Sequence, residues 1–500
     1  MNRITLFVAT ILCAAVVWAQ APTPQGPSQD KSVSISKVER KGKAPVSKEI
    51  LQPKLPRPIE ATLDNGLTVL ILEDHRFPTV NVSLNISGAG GLFEPANLTG
   101  LANVTAQMLR EGTKTRNSQA LSEEVDRLGA TLFANSSFSS SATTINASGL
   151  SDNLDQWFAL VTDVLLNPSF PAGELSKLTQ RLKVQVRQQR SQPGFLANER
   201  FSLAVYGSHP AGRVSYTNES LDALKPEALA KWHAERYAPQ NAILGIAGDV
   251  KASELVPKLK TWLAAWKKND LKEVLPANPV PASAKKIYLV DRPNSVQTTL
   301  TMGNIALDRR DPDHVTLEVL NRIFGQGPAA RLFLNLREEK GYTYGVYSGF
   351  TALKYPGPFR AGGDLRTEVT DGAMTEFLKE INRIRDEKVP APELDDARRA
   401  LVAGFALTLE QPAQVLSYWI LRKIYGFPVD FWDTYPAKIA AVTADDIQRV
   451  ARKYLNPEAM QIVAVGEGSK IKTILEKYGP VEVYDMEGKA AAKAAAKGAD

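Results

Sequence analysis

The sequence of 500 residues predicts an α+β protein built from two homologous domains. Runs of apolar strands stand beside runs of amphipathic helices, which is typical of an α+β architecture. A segment rich in proline and lysine over residues 268–285 interrupts this pattern. The same order of elements returns beyond it, and Tyr237 and Tyr454 end helices in similar contexts with a period of 217 residues. The two domains are therefore predicted over residues 57–267 and 286–480, with 268–285 as their linker.

The first domain opens with a hairpin whose turn is Asn65 and Gly66, because Asn-Gly is a strong hairpin signal. Alternation of apolar and polar residues indicates further strands, and Gly112 and Gly129 mark the ends of two helices, the second capped by Ser118. The predicted elements are helices over 98–111, 118–128, 151–165, 171–192, 196–206 and 225–237, and strands over 80–86, 132–136, 142–148 and 243–248.

The second domain repeats this order. A buried strand is predicted over residues 287–290, an alternating strand over 296–302 and a helix over 314–324, followed by helices and strands to residue 466. Residues 481–500 are rich in alanine and lysine and are predicted to be a tail, either helical or disordered.

The first twenty residues have the pattern of a secretory signal peptide. Arg3 is followed by an apolar run over residues 4–17, and small residues precede a cleavage site near Ala19. The run is short for a membrane span, so an uncleaved anchor is the alternative. Cleavage would remove Cys13, the one cysteine of the chain, and the mature protein is expected in the periplasm or outside the cell.

The net charge of +6 is the sum of Arg3 and a net of +5 in the basic segment of residues 20–57. Residues 21–56 are rich in Pro, Ser, Lys and Gln without sustained periodicity, and they are predicted to be a disordered tether. A contact with anionic lipid is the alternative use of such a run. Because the remaining body is close to neutral, the charge does not indicate nucleic-acid binding.

One cysteine excludes an internal disulfide framework, a cysteine-based zinc module and an iron–sulfur cluster. The four histidines are His75, His209, His233 and His314, and neighbouring ones are at least 24 residues apart. The sequence therefore offers no local pair of histidine ligands. His209 and His314 are expected to have structural roles, and His75 to lie in a polar loop.

Residues 100–113, GLANVTAQMLREGT, resemble the first signature of the pitrilysin/insulinase family of zinc peptidases, which is roughly G-x-A-H-F-L-E-H-M-x-F-K-G-T. The segments 87–94, 206–212 and 248–250 are similar to other landmarks of that family. The resemblance covers about residues 57–470. It implies that each domain is a mainly antiparallel sheet with helices packed on one face, and that the two domains together form half of a clamshell.

The same resemblance implies that the zinc site is degenerate. Asn103 and Gln107 stand where the family has its two histidine ligands, and Ala106 stands in place of the catalytic base. The best match for the distant glutamate ligand is Gln185. Amides are poor zinc ligands and alanine cannot take a proton. No catalytic residue and no cofactor are therefore expected in this chain.

Residues 330–344, ARLFLNLREEKGYTY, resemble the substrate-binding pattern S-R-L-F-x-x-L-R-E-x-x-G-L-A-Y of the family's second domain. Arg337 and Tyr344 match its arginine and tyrosine. A guanidinium and a phenol both donate hydrogen bonds to a carbonyl oxygen that gains charge during attack. The resemblance thus implies substrate-binding roles for Arg337 and Tyr344, whereas Arg331 is expected to anchor the helix.

A chain that lacks the metal residues and keeps the Arg/Tyr pair resembles the zinc-free member of the family's two-chain peptidases. The resemblance implies an exported subunit, inactive alone, that binds an extended peptide for a zinc-bearing sister subunit. Strand addition to a sheet edge would bind such a peptide with little sequence preference. The alternatives are a scaffold protein on the same fold and a standalone peptide-binding module.

Overall fold

Two six-stranded sheets frame the protein, and each is built by one half of the chain. The computed structural model describes residues 51–491. The predicted signal peptide and most of the predicted tether lie outside the described residues, as do residues 492–500 of the predicted tail. Within residues 51–491, no helix combines the length and the apolar composition that a membrane crossing requires.

The strands are β1 Ile59–Thr62, β2 Thr68–Glu73, β3 Thr79–Ser87, β4 Thr131–Ser136, β5 Ala142–Leu150, β6 Ala242–Gly248, β7 Lys286–Asp291, β8 Gln297–Leu307, β9 Thr343–Phe350, β10 Gly357–Arg366, β11 Gln461–Gly466 and β12 Val481–Tyr484. The α-helices of the first half are α1 Leu101–Met108, α2 Ser118–Arg127, α3 Leu154–Leu166, α4 Ala172–Arg190, α5 Pro193–Tyr206, α6 Asn218–Ala223, α7 Pro226–Arg236 and α8 Ala252–Trp262. Those of the second half are α9 His314–Phe324, α10 Thr370–Asp386, α11 Ala391–Thr408, α12 Pro412–Tyr425, α13 Phe431–Ala441, α14 Ala444–Tyr454 and α15 Gly468–Glu476.

The two sheets share one topology. Their strand orders are β1-β2-β6-β3-β5-β4 and β12-β7-β11-β8-β10-β9, so β2, β6, β3, β5 and β4 correspond to β7, β11, β8, β10 and β9. Only β2 with β6, β7 with β11 and β7 with β12 run parallel among the described strands, and the other pairs are antiparallel. The prediction of two homologous α+β domains is confirmed.

One face of each sheet is buried under the helices of its own half. In β3 the residues Val80, Val82, Leu84 and Ile86 lie on this face, and each is almost fully buried. In the second half Leu300 and Met302 of β8 are buried in the same way. Burial of each such side chain contributes roughly 1.5–3 kcal/mol. The period-two alternation of the sequence therefore reflects which face of the strand meets the core.

The other face of each sheet is partly covered by a helix from the opposite half, which the sequence analysis did not anticipate. Helix α12 packs on β6, and α5 packs on β8 and β11. Glycines allow these close approaches, since a Cβ added at Gly245 would lie 2.7 Å from Ile420 Cδ1 and one at Gly303 would lie 3.0 Å from Phe201 Cζ. This exchange of helices joins the halves.

Both ends of the described chain also bridge the halves. Near the start, Trp419 Nε1 donates to the Pro56 carbonyl oxygen over 2.8 Å, and Arg57 pairs with Asp433 at 2.9 Å. Near the end, Arg190 Nη1 donates to the Met486 carbonyl oxygen over 2.9 Å. The strand β12, which begins in the segment predicted as a tail, adds to the edge of the second sheet.

Two predictions about helix N-termini, the start of one helix and the cap of the next, differ from the structure for local reasons. Helix α1 begins at Leu101 rather than 98, because Gly100 at φ 98° turns the chain before it. Helix α2 is capped by Asn117, whose side chain accepts from the Ala120 N–H over 2.8 Å, and Ser118 is its first residue instead of its cap.

Candidate functional site

Helix α1 carries the positions that the sequence analysis assigned to a lost metal site, and a buried glutamate holds its first turn. Glu94 accepts from the N–H groups of Gly100 over 2.8 Å and Ala102 over 2.6 Å. The ring of Tyr216 packs against Gly100, where a Cβ would lie 2.3 Å from Tyr216 Cδ1. Burial raises the pKa of Glu94 to about 7, against the lowering effect of the two N–H donors.

Asn103, Gln107 and Tyr216 form a closed hydrogen-bonded group, which we call the amide cluster. Asn103 Oδ1 accepts from Gln107 Nε2 over 2.6 Å and from the hydroxyl of Tyr216. Asn103 Nδ2 donates to the Ser136 carbonyl oxygen on β4 over 2.6 Å. Both the amide oxygen and the amide nitrogen of Asn103 are therefore hydrogen-bonded to other groups of the protein.

The donor set at these positions does not fit zinc. Asn103 and Gln107 offer neutral amides, and the fully buried Ala106 offers no donor atom. Gln185 lies exposed on α4, outside the amide cluster. Within residues 51–491, no three His, Cys, Asp or Glu side chains form a group that could hold a metal ion.

Each histidine has its own local partner. His75 Nδ1 lies 2.7 Å from Asp249 Oδ1, and His209 accepts from the Ala211 N–H over 3.2 Å. His233 Nε2 lies 2.8 Å from the Leu165 carbonyl oxygen, and His314 is the buried first residue of α9. The four side chains thus belong to four different places in the fold.

Arg337 lies in a π-helical turn, residues Phe333–Glu339, between α9 and β9. Asn335 anchors this turn by donating to carboxylate oxygens of Glu376 and Glu380, both over 2.8 Å. The guanidinium of Arg337 lies 4.7 Å from the ring centroid of Phe333, and Nη1 donates to Glu338 Oε1 over 2.7 Å. π-Helical turns are frequent at functional sites, and this one holds Arg337 half-exposed.

Tyr344 lies on the edge strand β9, where the pairing with β10 shifts register between Gly363 and Leu365. The extra residue of this bulge places Tyr344 and Tyr347 on the same exposed face. Tyr344 is 88% exposed and Tyr347 54% exposed, and the Tyr347 ring lies 6.1 Å from that of Phe333. We call Phe333, Arg337, Tyr344 and Tyr347 the Arg/Tyr surface. No hydrogen bond among the described residues joins Arg337 to Tyr344.

Sequence reasoning missed Tyr347, Glu94 and Tyr216 as parts of these sites. The signal for Tyr347 was the strand pattern itself, but the bulge that turns it outward depends on β10. Tyr216 is 113 residues from Asn103 along the chain, so no local motif connects them.

The first sheet leaves a polar face open beside α12, which we call the polar platform. Adjacent rows of β3, β5 and β4 place one aromatic and eight neutral polar side chains on it: Asn81, Ser83, Asn85, Thr144, Asn146, Ser148, Thr131, Phe133 and Asn135. A cavity of about 230 Å³ lies between this face and Leu416 and Ile420 of α12. The platform carries no charge, and its outer strand β4 is a sheet edge as β9 is in the second half.

Known proteins resemble both halves of this chain. The insulinase family (peptidase family M16) matches residues 68–216, and the peptidase M16 inactive domain matches residues 223–401. An uncharacterized zinc protease of Rickettsia bellii is 25% identical over 355 residues, which cover 70% of this chain and 84% of that protein. A second, from Mycobacterium bovis, is 24% identical over 417 residues, which cover 83% and 94%.

Solved structures agree with these matches. A peptidase M16 inactive domain from Pseudomonas fluorescens superposes with a TM-score of 0.76 at 26% identity, over 82% of this chain and 98% of that one. A protease from Helicobacter pylori superposes with a TM-score of 0.76 at 19% identity, over 83% and 100%, and shows the shared fold. With both halves matched in order and the whole architecture shared, the chain belongs to peptidase family M16, the insulinase family.

Proposed function

We propose that this chain is an exported, non-catalytic subunit of an M16 peptidase, which binds extended peptide for hydrolysis by a zinc-bearing sister subunit. The observation that carries the proposal is a contrast between its two candidate sites. In the amide cluster, Asn103 is hydrogen-bonded to other groups of the protein, whereas the Arg/Tyr surface exposes a phenol and a guanidinium. Tyr344 is almost fully exposed, so its hydroxyl is accessible to a ligand.

The proposed binding mode uses groups of the described chain. A peptide in extended conformation would pair with the backbone of an edge strand, β4 or β9, because such edges present unpaired N–H and C=O groups. The hydroxyl of Tyr344 and the guanidinium of Arg337 would donate to a peptide carbonyl oxygen. The neutral polar platform would hydrogen-bond to the peptide without selecting its charge.

Cleavage chemistry is assigned to the sister subunit in this proposal. Its zinc would activate the attacking water, while Arg337 and Tyr344 of this chain orient the substrate. The relatives described as zinc proteases and the solved structure described as an inactive domain support membership in this peptidase family. The pairing itself rests on the missing metal donors of this chain.

The experiment compares the isolated chain with a mixture that contains a zinc-bearing M16 protein from the same organism. Bound zinc is measured by elemental analysis, and turnover is measured on an unfolded peptide. We expect activity only in the mixture. Stoichiometric zinc with activity in the isolated chain would overturn the proposal, and stable assembly without hydrolysis in any pairing would favour a scaffold.

Arg337→Ala tests the site within that mixture. We expect turnover to fall about tenfold or more, because a charge-assisted hydrogen bond is lost. Arg399→Ala is the matched control, since Arg399 is similarly exposed on α11 and pairs with a nearby carboxylate, that of Asp396, at 3.0 Å. Equal turnover of the two variants would remove Arg337 from the site.

Export is tested separately. Cell fractionation and N-terminal sequencing of the mature chain should place it outside the cytoplasm with a start near Gln20. A chain that keeps Met1 in the cytoplasm would contradict this part of the proposal.

A further inference from the structure

A cavity of about 430 Å³ opens in the helical layer of the second half, and no residue of the polar platform or the Arg/Tyr surface lines it. It lies among α9, α11, α12 and α13, and its volume is within the range of small-ligand sites. Aromatic rings form much of its wall: Phe405, Tyr418, Trp432 and Tyr435.

The aromatic wall is held in place by its own contacts. The rings of Tyr418 and Trp432 lie 4.6 Å apart between centroids, and those of Phe405 and Tyr435 lie 5.1 Å apart. Trp432 Nε1 donates to the Tyr418 carbonyl oxygen over 2.8 Å. A planar side chain entering the cavity would therefore meet fixed rings, so little rotamer entropy would be lost on binding.

Three charged groups also line this cavity: Arg309, Arg322 and Glu318. Arg322 Nη1 donates to the Gln326 carbonyl oxygen over 3.0 Å, and within residues 51–491 neither arginine forms a salt bridge. Glu318 Oε2 accepts from the hydroxyl of Tyr435 over 2.7 Å, and Oε1 lies 3.8 Å from Nδ1 of His314. Two guanidinium groups that form no salt bridge thus share a cavity with the Glu318 carboxyl group, which can accept an N–H. Burial raises the pKa of Glu318, and the charge of Arg309 opposes that rise.

We propose that this cavity binds a terminal aromatic residue whose α-carboxylate is free. The rings receive its side chain, Arg309 and Arg322 bind the carboxylate, and Glu318 accepts its amide N–H. Arginine is suited to carboxylates because its planar fork donates two parallel hydrogen bonds. Such a residue is presented by the end of a peptide or by a free N-acylated amino acid. The inference does not depend on the proposed function.

The experiment is calorimetric titration of the purified chain with two probes that differ in one group. N-acetyl-L-phenylalanine carries the free carboxylate, and N-acetyl-L-phenylalanine amide lacks the charge. We expect saturable binding of the acid and binding of the amide weaker by about tenfold or more. Equal binding of both probes, or no saturation by the acid up to about 10 mM, would overturn the proposal.

Arg309→Gln should weaken binding of the acid by about tenfold and leave the amide unaffected. Arg310→Gln is the matched control, because the neighbouring guanidinium is already engaged by Asp308 at 3.1 Å and by the Lys354 carbonyl oxygen at 3.0 Å. An unchanged melting temperature shows that both variants fold. If Arg309→Gln unfolds, the comparison of acid and amide on the unaltered chain still decides.

A seven-residue peptide ending in phenylalanine, with a free or an amidated end, identifies the source of the ligand. Binding of the free-acid peptide together with the small acid supports the proposal and assigns the cavity to peptide ends. Binding of the small acid alone supports it and assigns the cavity to free acids.

Discussion

The amide cluster of the first half and the 430 Å³ cavity of the second half occupy corresponding places in the repeated fold. Helix α1 follows β3 as α9 follows β8, and α4 precedes the exchanged helix α5 as α11 precedes α12. In each half a tyrosine from a later segment donates to a polar group on the first helix. Tyr216 is 113 residues beyond Asn103, and Tyr435 is 117 residues beyond Glu318. The two halves thus share this arrangement, although the side chains that fill it differ.

The two places differ in whether their polar side chains are hydrogen-bonded to each other or surround an open cavity. In the first half the polar groups satisfy each other with neutral amides, and Ala106 is fully buried beside them. In the second half a carboxyl group and two arginines share an open space of about 430 Å³. One duplicated frame can therefore hold a partly exposed neutral cluster or a cavity with charged side chains.

The largest expected effect comes from a substitution beside the amide cluster. Gly100→Ala should lower the free energy of unfolding by on the order of 3–4 kcal/mol, because φ is positive and the added methyl would overlap the ring of Tyr216. Gly129→Ala is the control, since Gly129 also has a positive φ but has no atom within 4 Å of an added Cβ. It should cost about 1 kcal/mol. The free energy of unfolding is measured in urea. Equal losses in the two variants would show that the Tyr216 ring does not pack closely against Gly100.

The next largest expected effect is the contribution of Glu94 to the pH dependence of the free energy of unfolding. Because burial raises its pKa from 4.5 to about 7, the folded state holds the proton more tightly than the unfolded state. This stabilisation is complete below pH 4.5 and is lost as the pH rises to about 7, a change on the order of 3 kcal/mol. Arg213, whose charge also faces Glu94, opposes the shift without cancelling it.

Glu94→Gln should remove this contribution and leave those of the other buried groups, among which two histidines act in the opposite direction. Burial lowers the pKa of His233 to about 4 and that of His314 to about 3, so both stay neutral in the fold and cost stability as the pH falls below 6.5. In the original chain the glutamate offsets this loss between pH 6.5 and 4.5. Urea unfolding across this range should show the variant losing stability on acidification more steeply. Parallel curves for the two proteins would contradict the assignment to Glu94.

The sequence predicted the order of strands and helices in both halves and some of the site residues. Apolar alternation located β3 and β8, and motif similarity located Asn103 and Arg337, because these signals lie within a dozen neighbouring residues. The partners Tyr216 and Tyr435 come from more than a hundred residues away, and only the packed fold brings them in. The bulge that exposes Tyr347 and the exchange of α5 and α12 likewise depend on strands and helices distant in the chain.

The smallest expected effect compares the two tyrosines directly. Tyr216→Phe should cost about 1 kcal/mol, because Asn103 Oδ1 still accepts from Gln107 when the hydroxyl is gone. Tyr435→Phe should cost about 2 kcal/mol near neutral pH, because Glu318 loses its 2.7 Å donor and remains as a partly buried carboxyl group that faces a neutral histidine and only the charge of Arg309. Urea unfolding of both variants measures the difference. A larger cost at Tyr216 would mean that the neutral cluster, rather than the charged cavity, depends on its tyrosine, since in both variants the ring remains and only the hydroxyl is removed.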